Sequence, residues 1–382
     1  MSINSTSHIK RESKYELLRI VAMIMIIFSH MACHGVQNVL DNGNAYKLYF
    51  EGSIVNKWIV SCLNVGGEVG VALFFIITGF FCVRKNRITV KKVVLESIFY
   101  GWLSIIAFII IYLCNRNIIS LNNDILFFLI KALIVPISGG AWWYVTTYVF
   151  LVLCVPVINP LICKLNKKGV VLLVITSWFF LYFMGKFCGS QFYYFQRGLF
   201  FYIVGAYLQL YGKKKLENKT NNIVLLILFI LFWVGSACLF YELANVHNDP
   251  TTIGKFIVKL ISSVNTAFFV PGSSITLFCL FMYSRIGYNR IINLIATTTF
   301  GIYLIHDSVV FRQIVWRGIF KIDTLYLSKY FLFVAVFYCI IVFSICAICD
   351  MFRKRFIEPY LLMLYENFEN KLYKKCVCEI KK

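Results

Sequence analysis

The sequence predicts an all-α fold, a polytopic integral membrane bundle of about ten transmembrane helices, and three observations lead there. Hydrophobic residues fill 60% of the 382 positions while only 14% are charged, a balance outside that of water-soluble domains. Ten apolar stretches are long enough to cross a hydrocarbon core of about 30 Å. The basic residues behind the net charge of +21 lie mostly between those stretches. Chain orientation and attraction to anionic lipid account for them there, and no nucleic-acid partner is expected.

Taken in order, residues 1–14 are polar and read as a cytoplasmic tail. No small-residue cleavage pattern follows the first apolar run, so that run is expected to stay as a span rather than to leave as a signal peptide. Spans then fall near 16–35, 58–83, 93–114, 142–163, 169–185, 190–211, 223–243, 257–283, 291–310 and 329–350, all in one membrane domain, 15–350. The run 125–137 is only about 13 residues long and contains Lys131, which suits an interfacial or re-entrant segment better than a crossing one. With ten spans and both termini inside, 25 of the 38 Lys and Arg fall in inner segments and 11 in outer ones. An eleventh span would put Lys164, Lys167, Lys168 and the Lys213–Lys215 cluster outside, against the positive-inside bias. Residues 351–382 form a basic cytoplasmic tail too short for an enzymatic domain of its own. Any chemistry therefore belongs to the bundle and its two faces.

No Pro- or Ser-rich linker divides the chain and no internal repeat is visible. The 14 cysteines are mostly scattered singly, without CxxC pairs or zinc spacing, and read as small apolar residues of spans. Richness in Ile, Lys, Asn and Phe hints at an AT-rich bacterial genome.

Four groups of residues carry chemistry. The first lies on span one: Glu16, Arg19, His30 and His34. Eleven helical steps bring His30 to within roughly 20° of the direction of Arg19 and roughly 16 Å along the axis. Ionisable groups that deep in a span are costly and mark a function by default. Glu16 and Arg19 can pair three apart. Against these readings, Arg19 could snorkel to headgroups and His30 could make a neutral interhelical hydrogen bond. His30 and His34 have a metal-ligand spacing, but no third ligand or HExxH accompanies them and no metal is expected.

The second group ends span two. Gly66, Gly67, Gly70 and Gly79 would let backbones approach, Glu68 lies in the outer half, and Arg84 and Arg87 emerge inside, on one face if the helix continues. Guanidinium forks suit phosphate, whereas positive-inside bias explains the same residues without a ligand. The third is GGAWWYVTTY, residues 139–148, where Trp142 and Trp143 would sit in an ordinary aromatic belt. The fourth is TTTFGIYLIHD, residues 297–307, with His306 and Asp307 toward the outer end of span nine.

In this order the four pieces resemble the membrane acyltransferase 3 family, bacterial enzymes that O-acylate surface glycans. The likeness is carried by Arg19-x10-His30, GVALFFIITGFF leading to Arg84-x-x-Arg87, the Trp-Trp-Tyr entry to span four, and TFGIYLIH ending in His306, and it extends from about Tyr15 to Asp350. It implies a multi-pass protein of the bacterial cell membrane, an acyl-CoA donor, normally acetyl-CoA, used from the cytoplasm, and a glycan acceptor in capsule, exopolysaccharide or cell wall. By position, Arg84 and Arg87 match the family's Arg-x-x-Arg and would hold coenzyme A with Arg19. His30, Arg19 and His306 would be catalytic, and Glu68, Trp142 and Trp143 would line the acceptor side. The chain lacks the fused extracytoplasmic domain of some relatives, which leaves room for a separate extracytoplasmic partner. Acyl transfer needs a base or a covalent carrier, and His30 suits either. A membrane transporter using His30, Arg19 and Glu68 as a relay is the main alternative, and an idle scaffold in an export complex is another.

Overall fold

The computed structural model describes residues 11–37, 46–114, 123–134, 142–184, 190–212, 219–246 and 252–380. Nearly all of these are helical, and no strand occurs among them. Gly139, Gly140, the Lys213–Lys215 cluster and most of the N-terminal tail lie outside the described residues.

The helices that position the site are α1 (Ser13–His30), α2 (Ile54–Cys82), α3 (Lys91–Cys114), α4 (Trp143–Lys164), α5 (Ser190–Tyr207), α6 (Thr299–His306) and α7 (Phe331–Phe352). Helix α1 runs on through a π turn, Met31–Gln37. Ser53 caps α2 by accepting the amide hydrogen of Asn56 at 3.2 Å. Seven helices among the described residues are long and apolar enough to cross a membrane, or eight if the bent pair Arg290–His306 and Val310–Ile319 is one span. Lys167–Phe179, running on to Met184, and Ser190–Tyr207, running on to Gly212, are helical where spans five and six are expected but are not among these. The second carries polar residues such as Gln196 and Arg197, which a helix enclosed by neighbours can keep. Residues Asn123–Ile134 form a short helix, about 18 Å by its rise and too short to cross.

Lipid-facing surface is legible on the outer helices. Leu153, Val157 and Leu161, at four-residue steps along α4, are 61%, 65% and 59% exposed, and Phe333 on α7 is 75% exposed. Such stripes are at home in hydrocarbon and unfavourable in water.

Helix α1 is central, packed along α2 and against α6, α7 and the helix Arg290–Ala296. The glycines of α2 explain the closeness. A Cβ built on Gly66 would stand 2.8 Å from the Met25 carbonyl oxygen, and one on Gly70 would stand 2.6 Å from that of Ala22. Only glycine lets the two backbones meet there.

Two features depart from the expected layout. Span nine is not one straight helix. It runs from Arg290 to Ala296, turns, continues as α6, and bends by 79° after His306. The carboxyl-terminal segment also begins inside the bundle, because the helix of α7 continues without a break to Lys371 and Arg353 is 3% exposed. Pro271 and Gly272, by contrast, do not break their helix, which is continuous from Ile253 to Met282.

Candidate functional site

One face of α1 organises the site. Arg19, Met23 and Ile26, spaced three and four apart, form part of the wall of a cavity of about 520 Å³. At the end nearer the N-terminus its walls carry the cations Arg11, Arg19, Lys92 and Lys354 and the carboxylates Glu96 and Glu358, while Phe74, Tyr144, Tyr148, Phe300 and Tyr303 supply aromatic surface. Arg19 is held as the spacing predicts, with Nη1 donating to both carboxylate oxygens of Glu16 at 2.9 and 3.0 Å. Its side chain remains 30% exposed.

His30 lies one helical turn beyond Ile26, and it is not part of the cavity wall. Arg19 and His30 therefore share a stripe, as their spacing requires, but only Arg19 lines this cavity. Its neighbours come from the far end of the sequence. His30 Nδ1 stands 3.0 Å from Nε2 of His306 and 3.1 Å from Oδ1 of Asp307. His306 Nδ1 is 2.6 Å from the Ile302 carbonyl oxygen. Arg312 closes the cluster, donating through Nε and Nη2 to Asp307 Oδ1 at 2.9 and 2.7 Å. His306 and Asp307 are each 1% exposed, whereas the His30 side chain is 21% exposed.

These distances settle the tautomers. A carbonyl oxygen can only accept, so His306 Nδ1 carries a hydrogen, and neutral His306 presents a lone pair at Nε2. His30 Nδ1 then faces two acceptors, that lone pair and a carboxylate, and it must be the protonated nitrogen. The basic lone pair of neutral His30 is left on Nε2, the nitrogen a general base or nucleophile requires. Asp307 thereby orients His30 while Arg312 orients Asp307.

The bend after His306 creates this arrangement. Ser308 caps the following helix, its Oγ accepting from the Phe311 amide at 3.2 Å. The chain turns back, and Arg312 returns to Asp307. Asp307 is also the third ligand-type group absent from the local sequence of α1: ligand atoms of His30, His34 and Asp307 lie within 4.8 Å of one another. The set suits a cation poorly, because Asp307 is already committed to Arg312 and the guanidinium charge would repel a metal ion at the same oxygen.

The remaining expected residues are dispersed. Helix α2 ends at Cys82, so Arg84 and Arg87 do not share a helical face as a continued helix would place them; they lie exposed in the segment before α3. Neither belongs to the cavity wall. Their segment is nonetheless anchored: Asn159, 2% exposed on α4, donates to the carbonyl oxygens of Cys82 and Lys85 at 2.7 and 2.8 Å and accepts from the Tyr202 hydroxyl at 2.7 Å. Glu68 is paired with Arg197 of α5, whose Nη2 also donates to the Glu68 carbonyl oxygen at 3.0 Å. Trp142 is 1% exposed in the core, while Trp143 stacks on Tyr194 with centroids 4.3 Å apart. Neither is part of the cavity wall or of the histidine cluster.

Sequence reasoning missed one further group. Arg353 binds Glu96 at 2.9 Å, Asp350 at 2.8 Å and Glu358 at 3.2 Å, and Tyr100 donates to Asp350 at 2.8 Å. Lys354 pairs with Asp350 at 3.2 Å and reaches the Thr297 carbonyl. The network ties α3, α7 and the turn before α6 together beside the cavity. Its signal was available: Glu96 is a carboxylate inside an expected span, the same kind of evidence that singles out Arg19. Gly301 in the TFG motif abuts the Asp350 carboxylate, where any side chain would collide.

A family model described as an acyltransferase domain, that of the acyltransferase 3 family, matches residues 13–351, nearly the whole bundle. No curated protein and no solved structure matches the chain.

Proposed function

The chain belongs to the membrane acyltransferase 3 family, and from that premise we propose that it moves an acetyl or other short acyl group from acyl-coenzyme A, acetyl-coenzyme A foremost, to a hydroxyl of a cell-surface or exported polysaccharide at the bacterial cell membrane. The observation that carries this reading is the His306–His30–Asp307–Arg312 cluster, which leaves His30 with a basic, oriented Nε2.

The cavity supports the donor side. Its volume of about 520 Å³ lies in the range of small-molecule sites. Cations at one end suit coenzyme A phosphates, and aromatic and aliphatic walls suit a pantetheine arm. Arg11, Lys92 and Lys354 would meet phosphate at the mouth, with Arg84 and Arg87 adding charge outside it, and Arg19 would guide the arm or polarise the thioester carbonyl. His30 takes the proton of the acceptor hydroxyl, and Asp307 stabilises the imidazolium that results. In the covalent variant His30 Nε2 itself carries the acyl group to an acceptor on the other face, which predicts ping-pong kinetics. Glu68, Trp142 and Trp143 would act on the acceptor side chiefly by shaping the bundle there.

The test is His30→Ala in a strain whose own copy is deleted. Glycan O-acylation is lost while the protein remains inserted at its normal level, and reconstituted protein no longer moves label from acetyl-coenzyme A. Near-normal acylation would remove His30 from the mechanism.

A further inference from the structure

We propose that Ile26, with Val71 beside it, closes the end of the donor cavity nearest His30 and so limits the transferred group to a short, uncharged acyl chain, acetyl before any longer one. The inference rests on the acyl-transfer reading above and narrows the donor that reading leaves open.

Helix direction fixes which end of the cavity receives the acyl group. Along α1 the wall advances from Arg19 through Met23 to Ile26, and the next turn of that stripe brings His30, outside the wall. Helix α2 runs the opposite way, since its Gly66 meets Met25 while its Gly70 meets Ala22 and Ile26. Its wall residues Thr78, Phe74 and Val71 therefore end at Val71, next to Gly70 and at the level of Ile26. On α6 the last wall residue is Tyr303, three residues before His306. The reacting carbonyl must come within reach of His30, so the acyl group belongs at this end and the coenzyme at the charged one.

This end is apolar and fixed. Met23 and Ile26 are 2% and 3% exposed. Ile26 cannot draw back, because a Cβ built on Gly70 would stand 2.7 Å from its Cγ1 and 3.2 Å from its Cδ1; the side chain already fills the notch that the glycine leaves in α2. Tyr144 braces the other side, its ring centroid 6.2 Å from that of Phe74 and 5.6 Å from that of Tyr303.

The charged residues of the wall belong to the opposite end. Arg19 precedes Ile26 by seven residues, roughly 10 Å of helix, and already holds Glu16. A longer alkyl chain would have to displace packed side chains, which is unfavourable in a fixed site. A carboxylate-ended group such as succinyl would be buried with no cation of the wall to meet it. Acetyl satisfies both conditions best.

The test compares acetyl-, propionyl-, butyryl- and succinyl-coenzyme A as donors for the purified full-length protein, with surface glycan from the deletion strain as acceptor and thiol release as the readout. In the wild type we expect kcat/KM to fall about 10–200-fold for each added methylene, and succinyl to be used no better than butyryl. Ile26→Ala should raise the ratio of butyryl to acetyl kcat/KM at least tenfold. Should that buried substitution prevent folding, Val71→Ala, at the half-buried neighbour, should move the ratio in the same direction. The proposal is overturned if the wild type uses butyryl or succinyl within threefold of acetyl, or if the folded variants leave the ratio within threefold of wild type. The premise fails separately: a wild type that releases thiol from none of the four donors, beside His30→Ala cells that keep their glycan O-acylation, refutes the acyl-transfer reading, whereas an active wild type with an unmoved ratio in the variants sinks the Ile26 limit alone.

Discussion

Replacing Asp307 by Asn tests the cluster with almost no change in shape. The amide can still occupy the carboxylate's place, but it brings no charge to the imidazolium that forms when His30 accepts a proton. At the observed 3.1 Å and an effective dielectric of about 20, a carboxylate stabilises an adjacent unit positive charge by about 5 kcal/mol. Arg312, 2.7 Å from the same oxygen, offsets part of this. A loss of about 3–5 kcal/mol corresponds to a fall in turnover of roughly 10²–10⁴-fold. Substitution also leaves the Arg312 guanidinium without its carboxylate, so the amount of folded protein must be measured in parallel. The assay is release of coenzyme A thiol by detergent-purified protein with acceptor, backed by O-acyl content of the surface glycan in a complemented deletion strain. If Asp307→Asn stays within about threefold of wild type at equal protein level, His30 does not gain charge in the slow step, and the orientation argument fails.

Other expectations follow from the same geometry. Arg84→Ala or Arg87→Ala removes one exposed cation outside the cavity, so the apparent KM for acetyl-coenzyme A should rise roughly 3–10-fold with kcat little changed; a fall in kcat at constant KM would contradict a donor-binding role. Arg353→Ala strands Glu96 as a buried carboxylate, 8% exposed, and leaves Asp350, 0% exposed, with Lys354 and Tyr100 alone, and should destabilise the bundle by about 3–5 kcal/mol. Its level in the membrane and its thermal stability should drop together, and an unchanged melting curve would mean that the network is not holding α3 to α7.

Some of the site is legible from local sequence because helical geometry is periodic. Arg19 and His30 share a face by arithmetic, Glu16 is in reach of Arg19, and glycines at 66 and 70 announce a close neighbour. Arg84 and Arg87 show where that rule stops: they share a helical face only while the helix lasts, and α2 ends at Cys82. Asn159, five residues before the end of another helix, is what holds their segment, and nothing in the spacing of arginines points to it.

The sequence by itself determined that this is an all-α membrane protein with an ionisable stripe on its first span and the motifs of an acyltransferase family, since hydropathy and helical period are properties of neighbours along the chain. Tertiary structure alone decided which nitrogen of His30 is basic. That depends on His306, Asp307 and Arg312, nearly 300 residues away in sequence, brought to α1 by the packing of α6 against it and by the 79° bend after His306 that turns the chain toward Arg312. Hydrogen-bond direction is a matter of contacts a few ångströms long, and no periodicity along one helix encodes which distant groups will supply them.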